Sequence, residues 1–353
     1  MERNRTNRIQ IGAISIGGGS PIAIQSMTNT DTRNVQATIK QIQELKDAGC
    51  EIVRVAVIDE EAARAIRVIK LQTDLPLVAD IHFDHRLALL AIENGIDKLR
   101  INPGNIGSLQ KVKEVVRAAS DHGIPIRIGV NSGSLAKSVQ EKYGLTAQAM
   151  VESALEHVRI LEKLNFTSIV ISMKATDISL TLQAYELMSQ HVHYPLHLGI
   201  TEAGTSWFGT IKSAVGLGGV LTRNIGDTLR VSLTANPVEE VKVGWAILRA
   251  LGLRKKGPVF ISCPTCGRTE IPLVEIAEEV ETKLVGLQKS LTIAIMGCPV
   301  NGPGEAREAD LGIAGGHGVG LVFKKGEIIR KVPQDQLIDV LVEEAWKMEQ
   351  EDV

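Results

Sequence analysis

Residues 52–81 read I-V-R-V-A-V-I-D-E-E-A-A-R-A-I-R-V-I-K-L-Q-T-D-L-P-L-V-A-D-I, and this stretch contains the repeating unit of the fold. It starts with a β-branched run at 52–57, continues with apolar residues at helical spacing over Ala62–Ile69, and ends with an apolar run at 77–81. Strands separated by a helix pair in parallel, because a parallel connection needs a crossover. The stretch therefore predicts a strand–helix–strand unit.

The same pattern recurs through the first 250 or so residues of the chain. The β-branched runs are 22–27, 52–57, 77–81, 98–101, 126–130, 168–172, 196–200 and 228–233. Eight strand–helix units match the count and length of a (β/α)8 TIM barrel. A doubly wound open sheet is the competing fold, but no G-x-G-x-x-G follows the first run. The sequence predicts an α/β protein whose residues 1–253 form a TIM-barrel, substrate-binding domain.

The chain after the barrel predicts a second, smaller domain. Residues 254–258, R-K-K-G-P, are typical of a linker. The elements expected beyond it are strands at 259–262 and 291–296, a helix at 273–287, a hairpin over 320–331 and a closing helix at 334–348. Residues 258–353 are therefore expected to form an α+β domain.

The overall composition excludes several classes of function. The chain has 353 residues, of which 44% are apolar and 23% charged, and no apolar window is long enough to span a membrane. The polar N-terminus predicts no signal peptide. A net charge of −2 and an aromatic content of 3% argue against a nucleic-acid partner. We expect a cytoplasmic protein that binds neither membranes nor nucleic acid.

Charged residues lie in and after the strand runs, where TIM-barrel enzymes carry their catalytic groups. The arginines flanked by apolar neighbours in these runs are Arg54, Arg100, Arg127 and Arg230. Each could form a structural ion pair with a carboxylate, or together they could bind an anion. With Lys174 added, and with Asp80 and Glu202 as the nearby acids, positive charge is in excess. This excess predicts a phosphate or diphosphate substrate. His82 and His197 fit either a hydrogen-bonded lining of the barrel or a catalytic role.

Three of the four cysteines lie close together in the second domain. Cys263 and Cys266 form a C-x-x-C motif, and Cys298 follows in a second turn. A thioredoxin-type dithiol would leave Cys298 unexplained. A zinc site needs a fourth ligand, for which His317 is available. An iron–sulfur cluster with three thiolates and one other ligand fits the count, but spacing alone leaves zinc open. Cys50 is interpreted as buried and inert.

Ordered motifs along essentially the whole chain resemble the bacterial 4-hydroxy-3-methylbut-2-enyl diphosphate synthases of the non-mevalonate isoprenoid pathway. Two of them, C-P-T-C-G-R-T at 263–269 and M-G-C-P-V-N-G-P-G-E at 296–305, carry the cysteines. The others are Q-S-M-T-N-T-D-T at 25–32, R-V-A-V at 54–57, A-D-I-H-F at 79–83, R-I-N-P-G-N-I-G at 100–107, G-V-N-S-G-S-L at 129–135, S-M-K-A-T at 172–176, L-G-I-T-E-A-G at 198–204 and L-T-A-N-P at 233–237. The large extra domain of plant-type members is missing.

The resemblance implies a cofactor, a reaction and an assembly. The cofactor is one oxygen-sensitive 4Fe–4S cluster per subunit, bound in domain 258–353 by Cys263, Cys266, Cys298 and Glu305. The reaction is reductive ring opening and deoxygenation of 2-C-methyl-D-erythritol 2,4-cyclodiphosphate to 4-hydroxy-3-methylbut-2-enyl diphosphate, with electrons from ferredoxin or flavodoxin. The assembly is a head-to-tail homodimer in which one subunit's cluster domain caps the other's barrel.

Carried over to this chain, the resemblance also implies roles for individual residues. Glu202 is the candidate proton donor or electrostatic partner, and Glu305 is an exchangeable cluster ligand, because carboxylate binds iron more weakly than thiolate. The expected substrate-binding residues are Arg54, Arg100, Asn102, Arg127, Asn131, Lys174, Arg230, Ser232, Asp80, His82 and His197. Two rivals remain: a zinc-stabilised barrel enzyme, such as an aldolase or a dihydropteroate-synthase-like transferase, and a non-catalytic cluster carrier.

Overall fold

A computed structural model describes residues 6–298 and 307–351, and the chain divides into two compact units between Arg254 and Lys255. The first unit contains an eight-stranded parallel sheet curled into a barrel, and the second contains a five-stranded mixed sheet. The predicted TIM barrel followed by a smaller α+β domain is confirmed. Among the helices of the described residues, none has the length and apolar composition needed to cross a membrane.

The first unit opens with a hairpin and continues with the barrel strands. The hairpin strands are β1 (Ile9–Ile11) and β2 (Ile14–Ile16), and the barrel strands are β3 (Ala23–Met27), β4 (Ile52–Ala56), β5 (Leu77–Asp80), β6 (Lys98–Ile101), β7 (Ile126–Asn131), β8 (Ile169–Lys174), β9 (His197–Leu198) and β10 (Thr228–Leu229). Its helices are α1 (Val35–Asp47), α2 (Glu60–Lys70), α3 (His85–Glu93), α4 (Leu109–Asp121), α5 (Lys137–Tyr143), α6 (Ala147–Glu162), α7 (Ile178–His191), α8 (Ser206–Leu221) and α9 (Pro237–Ala250).

Helix α2 illustrates how the local sequence fixes an element. The side chain of Asp59 accepts a hydrogen bond from the backbone N–H of Ala62 and so caps the helix. Acidic residues occupy the first turn, and Lys70 ends the last turn, in accord with the helix dipole. Ala62, Ile66 and Ile69 are fully buried, which places the apolar face on the barrel.

The barrel has an apolar floor at the amino ends of its strands. Ala23, Ile52, Val78 and Val170 pack with the isoleucines of the β1–β2 hairpin in one buried cluster. The hairpin was not expected from the sequence, because strands of three residues carry little periodicity. Its isoleucines close the amino end of the barrel against water.

The last two barrel strands are shorter than expected. The sequence predicts runs at 196–200 and 228–233, but β9 and β10 each contain two residues. Beyond β10, the N–H of Leu233 donates to a glutamate side chain instead of a neighbouring strand. Between β8 and β9 a bridge joins Ile171 to Leu196. The seam of the barrel therefore relies partly on side chains.

In its described residues, 255–298 and 307–351, the second unit is an α+β sandwich of one sheet and two α-helices. Its strands are β11 (Val259–Ser262), β12 (Thr292–Met296), β13 (Leu311–Ala314), β14 (Val319–Lys324) and β15 (Glu327–Pro333), and its helices are α10 (Leu273–Lys283) and α11 (Leu337–Gln350). Strands β11, β12 and β13 pair in parallel, and β13, β14 and β15 pair antiparallel. Ile276 of α10 and Leu341 of α11 pack on Ile293 and Ile313 of the sheet. Strand β13 was not expected from the sequence.

The packing of the hairpin on the barrel floor leads us to a prediction about stability. Ile11→Ala should lower the free energy of unfolding by about 2–5 kcal/mol, because it opens a cavity between the hairpin and the floor. Chemical denaturation followed by circular dichroism measures this loss. The matched control is Gln10→Ala on the exposed face of the same strand, which should cost about 1 kcal/mol or less. Equal losses in the two variants would contradict the role of the hairpin as a plug.

Candidate functional site

Side chains on a β-strand point alternately to the two faces of the sheet, so every second residue of these strands points into the barrel. Several of these inward residues are charged. Beyond the floor, the next inward positions on β3, β4, β5 and β8 are Gln25, Arg54, Asp80 and Ser172. Strand register places Arg100 beside Asp80, and Arg127 beside Arg100. Because partners in register share one face of the sheet, these arginines also point inward. A barrel interior that is normally filled by Val, Ile and Leu is therefore charged here.

Asp80 is the carboxylate that holds two of the arginines. Its oxygens lie 3.2 Å from Arg100 Nη1 and 3.7 Å from Arg54 Nε. Nε2 of His82 lies 2.9 Å from Arg100 Nη1, and the His82 ring is half exposed. Burial acts to raise the pKa of Asp80, but the neighbouring Arg54, His82 and Arg100 outweigh burial and hold that pKa well below its usual range. Asp80 is therefore ionised at neutral pH and anchors the arginines.

The acid beside Arg230 is Glu240 of α9. Glu240 Oε2 accepts a hydrogen bond from Arg230 Nε at 3.2 Å, and Oε1 accepts one from Arg230 Nη2 at 3.3 Å. Glu240 is an addition to the expected acids, Asp80 and Glu202, of which Asp80 pairs with Arg54 and Arg100. Glu202 is exposed, and its carboxylate accepts a hydrogen bond from Thr176 Oγ1 at 3.1 Å. Sequence reasoning missed Glu240 because it lies inside a helix and not at a strand end.

Three further basic side chains of the barrel interior are fully buried. Arg127 is 1% exposed, and its Nε and Nη1 have no hydrogen-bond partner among the described residues. His197 Nδ1 lies 2.7 Å from Thr228 Oγ1, and burial lowers the pKa of His197, so its ring is neutral. Lys98 donates to Gln25 Oε1 at 3.4 Å, and burial lowers its pKa as well. Lys98 begins the apolar run at 98–101, and a lysine in that position was the sequence signal for a buried amine that we overlooked.

His197 lies lower in the barrel than expected. The sequence places it at the carboxyl end of a strand, but it is the first residue of β9. Register aligns it with Thr228, and Thr228 with Ala23 of the floor. Of the strand expected at 196–200, only His197 and Leu198 form β9, so His197 begins the strand instead of ending it. His197 therefore lines the barrel beneath the arginines.

Two glycines make room for the cations. A Cβ added at Gly129 of β7 would lie 2.7 Å from Arg100 Nε, and one at Gly199 would lie 2.5 Å from Lys174 Nζ. Both distances are far below van der Waals contact, so the long side chains occupy the space that glycine leaves. A glycine within a strand often marks a place where another group approaches closely. Gly129 and Gly199 in the predicted strands were therefore the sequence signal for these contacts.

Met27 is a weak acceptor placed among strong donors. Its Sδ lies 3.0 Å from Arg54 Nε, 2.8 Å from Arg54 Nη2 and 3.9 Å from Arg230 Nη1. A thioether sulfur accepts hydrogen bonds poorly, so these guanidinium groups keep unsatisfied donor capacity. Phosphate oxygens would satisfy that capacity far better.

The remaining predicted residues lie at the carboxyl ends of the strands. Asn131 and Lys174 are register partners on β7 and β8, and the Lys174 side chain is buried. Asn102 Oδ1 accepts a hydrogen bond from Gly104 N at 3.3 Å, which shapes its own loop. Ser232 is half-buried beyond β10. The structure thus brings the predicted barrel residues to one end and the interior of the barrel, apart from the deeper His197.

The rim of the barrel contains two strained residues. Phe83 has φ of 65° and Glu202 has φ of 52°, in the left-handed region that side chains with a Cβ seldom adopt. Each such conformation costs on the order of 1–3 kcal/mol and persists where the surroundings enforce it. Glu202 is itself an expected site residue, and Phe83 directly follows another, His82.

The charges in the barrel interior favour an anionic ligand. Among the described residues, the basic side chains that reach it are Arg54, Lys98, Arg100, Arg127, Lys174 and Arg230, and the buried carboxylates that reach it are Asp80 and Glu240. Burial lowers the pKa of Lys98 and of Lys174, so the excess of positive charge rests on the arginines. Burying unpaired charge is costly, so a ligand with several negative oxygens would be stabilised there. The ion-pair alternative holds for Arg54, Arg100 and Arg230, yet positive charge remains in excess.

The cysteine segments lie on neighbouring strands of the second unit. Cys263 directly follows β11, and Cys298 follows the parallel neighbour β12 by one intervening residue. The N–H of Gly297 donates to Cys263 Sγ at 3.3 Å. A backbone hydrogen bond from Arg268 lowers the pKa of the exposed Cys266 thiol. The cysteines are free thiols, and amide donors beside them suit thiolate ligands.

The described residues contain no group of three or more His, Cys, Asp or Glu side chains already arranged around a metal ion. The donor set still suits an iron–sulfur cluster, because three free thiols follow two adjacent parallel strands. Glu305, the expected fourth ligand, lies outside the described residues. His317, the alternative zinc ligand, lies 3.5 Å from Glu270 and is exposed.

The charge balance around Asp80 leads to a prediction. Asp80→Asn should lower the free energy of unfolding at pH 7 by about 3–5 kcal/mol, because Arg54 and Arg100 lose their buried partner. The pKa of Asp80 is depressed, so its contribution is complete above about pH 5 and is lost as the pH falls towards the depressed value. Stability of the variant should therefore fall less steeply in acid.

Denaturant titrations between neutral and acid pH measure both effects. Asp121→Asn, at the exposed end of α4, is the matched control and should change stability by about 0.5 kcal/mol or less. A wild-type stability at pH 7 in Asp80→Asn would show that the arginines do not depend on this carboxylate.

Comparisons with known proteins identify both units. Residues 6–245 match the family model described as the GcpE TIM-barrel domain, and residues 259–347 match the GcpE protein C-terminal domain. A protein of Clostridium perfringens, named 4-hydroxy-3-methylbut-2-en-1-yl diphosphate synthase (flavodoxin), is 59% identical over 97% of this chain and 98% of its own. The proteins of the same name from Geobacter sulfurreducens and Geobacillus kaustophilus are 59% and 56% identical, over 98% and 99% of this chain and 98% and 94% of theirs.

A solved structure resembles the barrel alone. The dihydropteroate synthase of Yersinia pestis superposes with a TM-score of 0.50 over 69% of this chain and 98% of its own, at 12% sequence identity. At that identity the likeness shows the fold only. The family models and the full-length relatives together show that this chain belongs to the 4-hydroxy-3-methylbut-2-en-1-yl diphosphate synthase (flavodoxin) family.

Proposed function

We propose that this chain catalyses the reductive ring opening and deoxygenation of 2-C-methyl-D-erythritol 2,4-cyclodiphosphate to 4-hydroxy-3-methylbut-2-enyl diphosphate, in the non-mevalonate isoprenoid pathway. The observation that carries this proposal is the cationic barrel interior, in a chain whose relatives are named for the formation of this product. The family's enzymes are iron–sulfur oxidoreductases. Free thiols and a reductive reaction both suit the cytoplasm.

In this proposal the barrel residues bind and orient the cyclic diphosphate. Its phosphates displace the Met27 sulfur as acceptor for Arg54 and supply the negative charge that the interior lacks. Arg100, Arg127, Lys174 and Arg230 contribute further donors. Neutral contacts come from Asn102, Asn131 and Ser232, and His82 and His197 line the site above and below the arginines.

Asp80 in the barrel interior and Glu202 at its rim have different proposed roles. Asp80 stays ionised because its pKa is depressed, so it holds Arg54 and Arg100 in place and does not supply a proton. Glu202 lies at the rim, where its strained backbone and its bond to Thr176 fix the carboxylate. Glu202 is therefore the proposed proton donor or electrostatic partner for the substrate.

The proposed cofactor is one 4Fe–4S cluster per subunit, with Cys263, Cys266, Cys298 and Glu305 as ligands. When bound, the cluster supplies electrons singly to the substrate. Reduced flavodoxin is the proposed donor, because the relatives carry it in their names, and ferredoxin is the alternative.

The direct test is anaerobic turnover of the cyclodiphosphate with reduced flavodoxin or a chemical reductant. Formation of the open-chain diphosphate is expected for the wild type. Arg100→Gln should lower kcat/KM by about 100-fold or more, because a phosphate donor is lost and Asp80 is released. Arg64→Gln, on an exposed helix face, is the matched control and should keep wild-type kinetics. Full activity of Arg100→Gln would show that Arg100 does not bind the substrate. A wild-type protein that holds a cluster but does not turn over the cyclodiphosphate would favour a cluster carrier that needs no substrate site.

The ligand set has its own prediction. Cys298→Ser should lose most of the iron and sulfide of anaerobically purified protein, whereas Glu305→Ala should keep much of the iron but lose turnover. Metal analysis and absorption spectra measure the difference. Cys50→Ala removes a buried thiol of the first unit, outside the cysteine motifs, and should keep both cluster and activity. Colourless wild-type protein that holds zinc would instead favour the zinc-stabilised barrel enzyme.

We also propose the head-to-tail homodimer, in which each active site combines the barrel of one subunit with the cluster domain of the other. Arg100→Gln and Cys298→Ser damage different halves of such a site. Mixing the two inactive variants under exchange conditions should restore about a quarter of the wild-type activity, because mixed dimers contain one intact site. Each variant alone, incubated identically, is the control. No recovery despite proven subunit exchange would place both halves of the site in one chain.

A further inference from the structure

Glu240 is a buried carboxylate, and each of its two oxygens accepts two hydrogen bonds. Oε2 accepts hydrogen bonds from Ser26 Oγ and Arg230 Nε, each at 3.2 Å. Oε1 accepts from Arg230 Nη2 at 3.3 Å and from the N–H of Leu233 at 3.0 Å. The residue is 4% exposed. A carboxylate with this many donors, including a guanidinium edge, is held in a single orientation.

These contacts cross a short junction of the barrel, between β3 and β10. Ser26 belongs to β3 and Arg230 follows β10, and these two strands pair over only two residues in the described register. Helix α9 approaches the seam closely at Gly244, one turn after Glu240, where an added Cβ would lie 3.2 Å from Leu229. The close approach lets the Glu240 side chain reach between the strands from outside the barrel.

The pairing leaves one edge of the Arg230 guanidinium for a ligand. Nε and Nη2 face Glu240, whereas the Nη1 contact is the Met27 sulfur at 3.9 Å. A free arginine side chain samples many rotamers, and ordering it on binding costs entropy. With Glu240 in place, Nη1 is directed towards the barrel interior before the ligand arrives.

We propose that Glu240 is a positioning residue, which holds Arg230 so that its Nη1 edge meets a phosphate of the cyclic diphosphate. This inference rests on the proposed function, since it needs that substrate. Glu240 itself does not contact the ligand: both of its oxygens are occupied by Arg230, Ser26 and Leu233. Its contribution is therefore to binding, through the orientation of Arg230.

The test measures binding and turnover in the anaerobic holoenzyme. Calorimetry gives Kd for the cyclodiphosphate, and steady-state assays with reduced flavodoxin give KM and kcat. Glu240→Gln keeps the size of the side chain but removes its charge, and should raise Kd and KM about 10- to 100-fold with little change in kcat. Glu239→Gln is the matched control on the same helix, with an exposed side chain paired to Lys242, and should match the wild type.

The pattern of kinetic change separates positioning from a merely structural role. Partial misfolding would lower kcat by reducing the active fraction and leave KM unchanged. In an Arg230→Gln background, Glu240→Gln should add less than about twofold to Kd, because the two residues act through one contact. A wild-type Kd for Glu240→Gln, or an equal additional loss in the Arg230→Gln background, would overturn the proposal.

If Glu240→Gln fails to fold, a milder variant tests whether Glu240 positions Arg230. Ser26→Ala removes one hydrogen bond to Glu240 Oε2 and keeps the ion pair, and should raise Kd about two- to fivefold. An unchanged Kd in this variant would then overturn the positioning role. A wild-type enzyme that does not bind the cyclodiphosphate would overturn the proposed function itself, which the Glu240 variants alone cannot do.

Discussion

Buried positive charge is the constraint on which the barrel depends. Side-chain alternation directs Arg54, Arg100 and Arg127 into an enclosed interior, where a guanidinium group without a partner is strongly destabilising. Asp80 and Glu240 offset part of this charge. The remainder is the chemical basis for binding an anion, so the feature that threatens the stability of the fold also creates its candidate site.

The surroundings of the site follow from that constraint. The apolar floor and the β1–β2 hairpin close the amino end of the barrel, so that water and ligands reach the charged interior from the carboxyl end. Gly129 and Gly199 leave the volume that Arg100 and Lys174 occupy. Where β3 and β10 pair over only two residues, the carboxylate of Glu240 connects β3 to the segment that follows β10. The same few residues therefore determine both how the barrel packs and how its buried charges are paired.

The second unit supplies three free thiols, and its described residues do not by themselves form a complete metal site. Cys263 and Cys298 follow adjacent parallel strands, while Cys266 is exposed and has a lowered pKa. The spacing of the cysteines alone left zinc and an iron–sulfur cluster open. Membership of an iron–sulfur family favours the cluster, and Glu305 stays a prediction because it lies outside the described residues.

The sequence by itself determined the eight-unit barrel, the following α+β domain and the polar residues near the strand ends, because periodicity and motif order are local properties. It did not predict Glu240, Lys98 or the β1–β2 hairpin, and it placed His197 too near the carboxyl end. These features depend on strand register and on how closely α9 approaches the seam, which only the tertiary structure decides. A helical glutamate becomes the partner of a barrel arginine only when packing brings the two within hydrogen-bond distance.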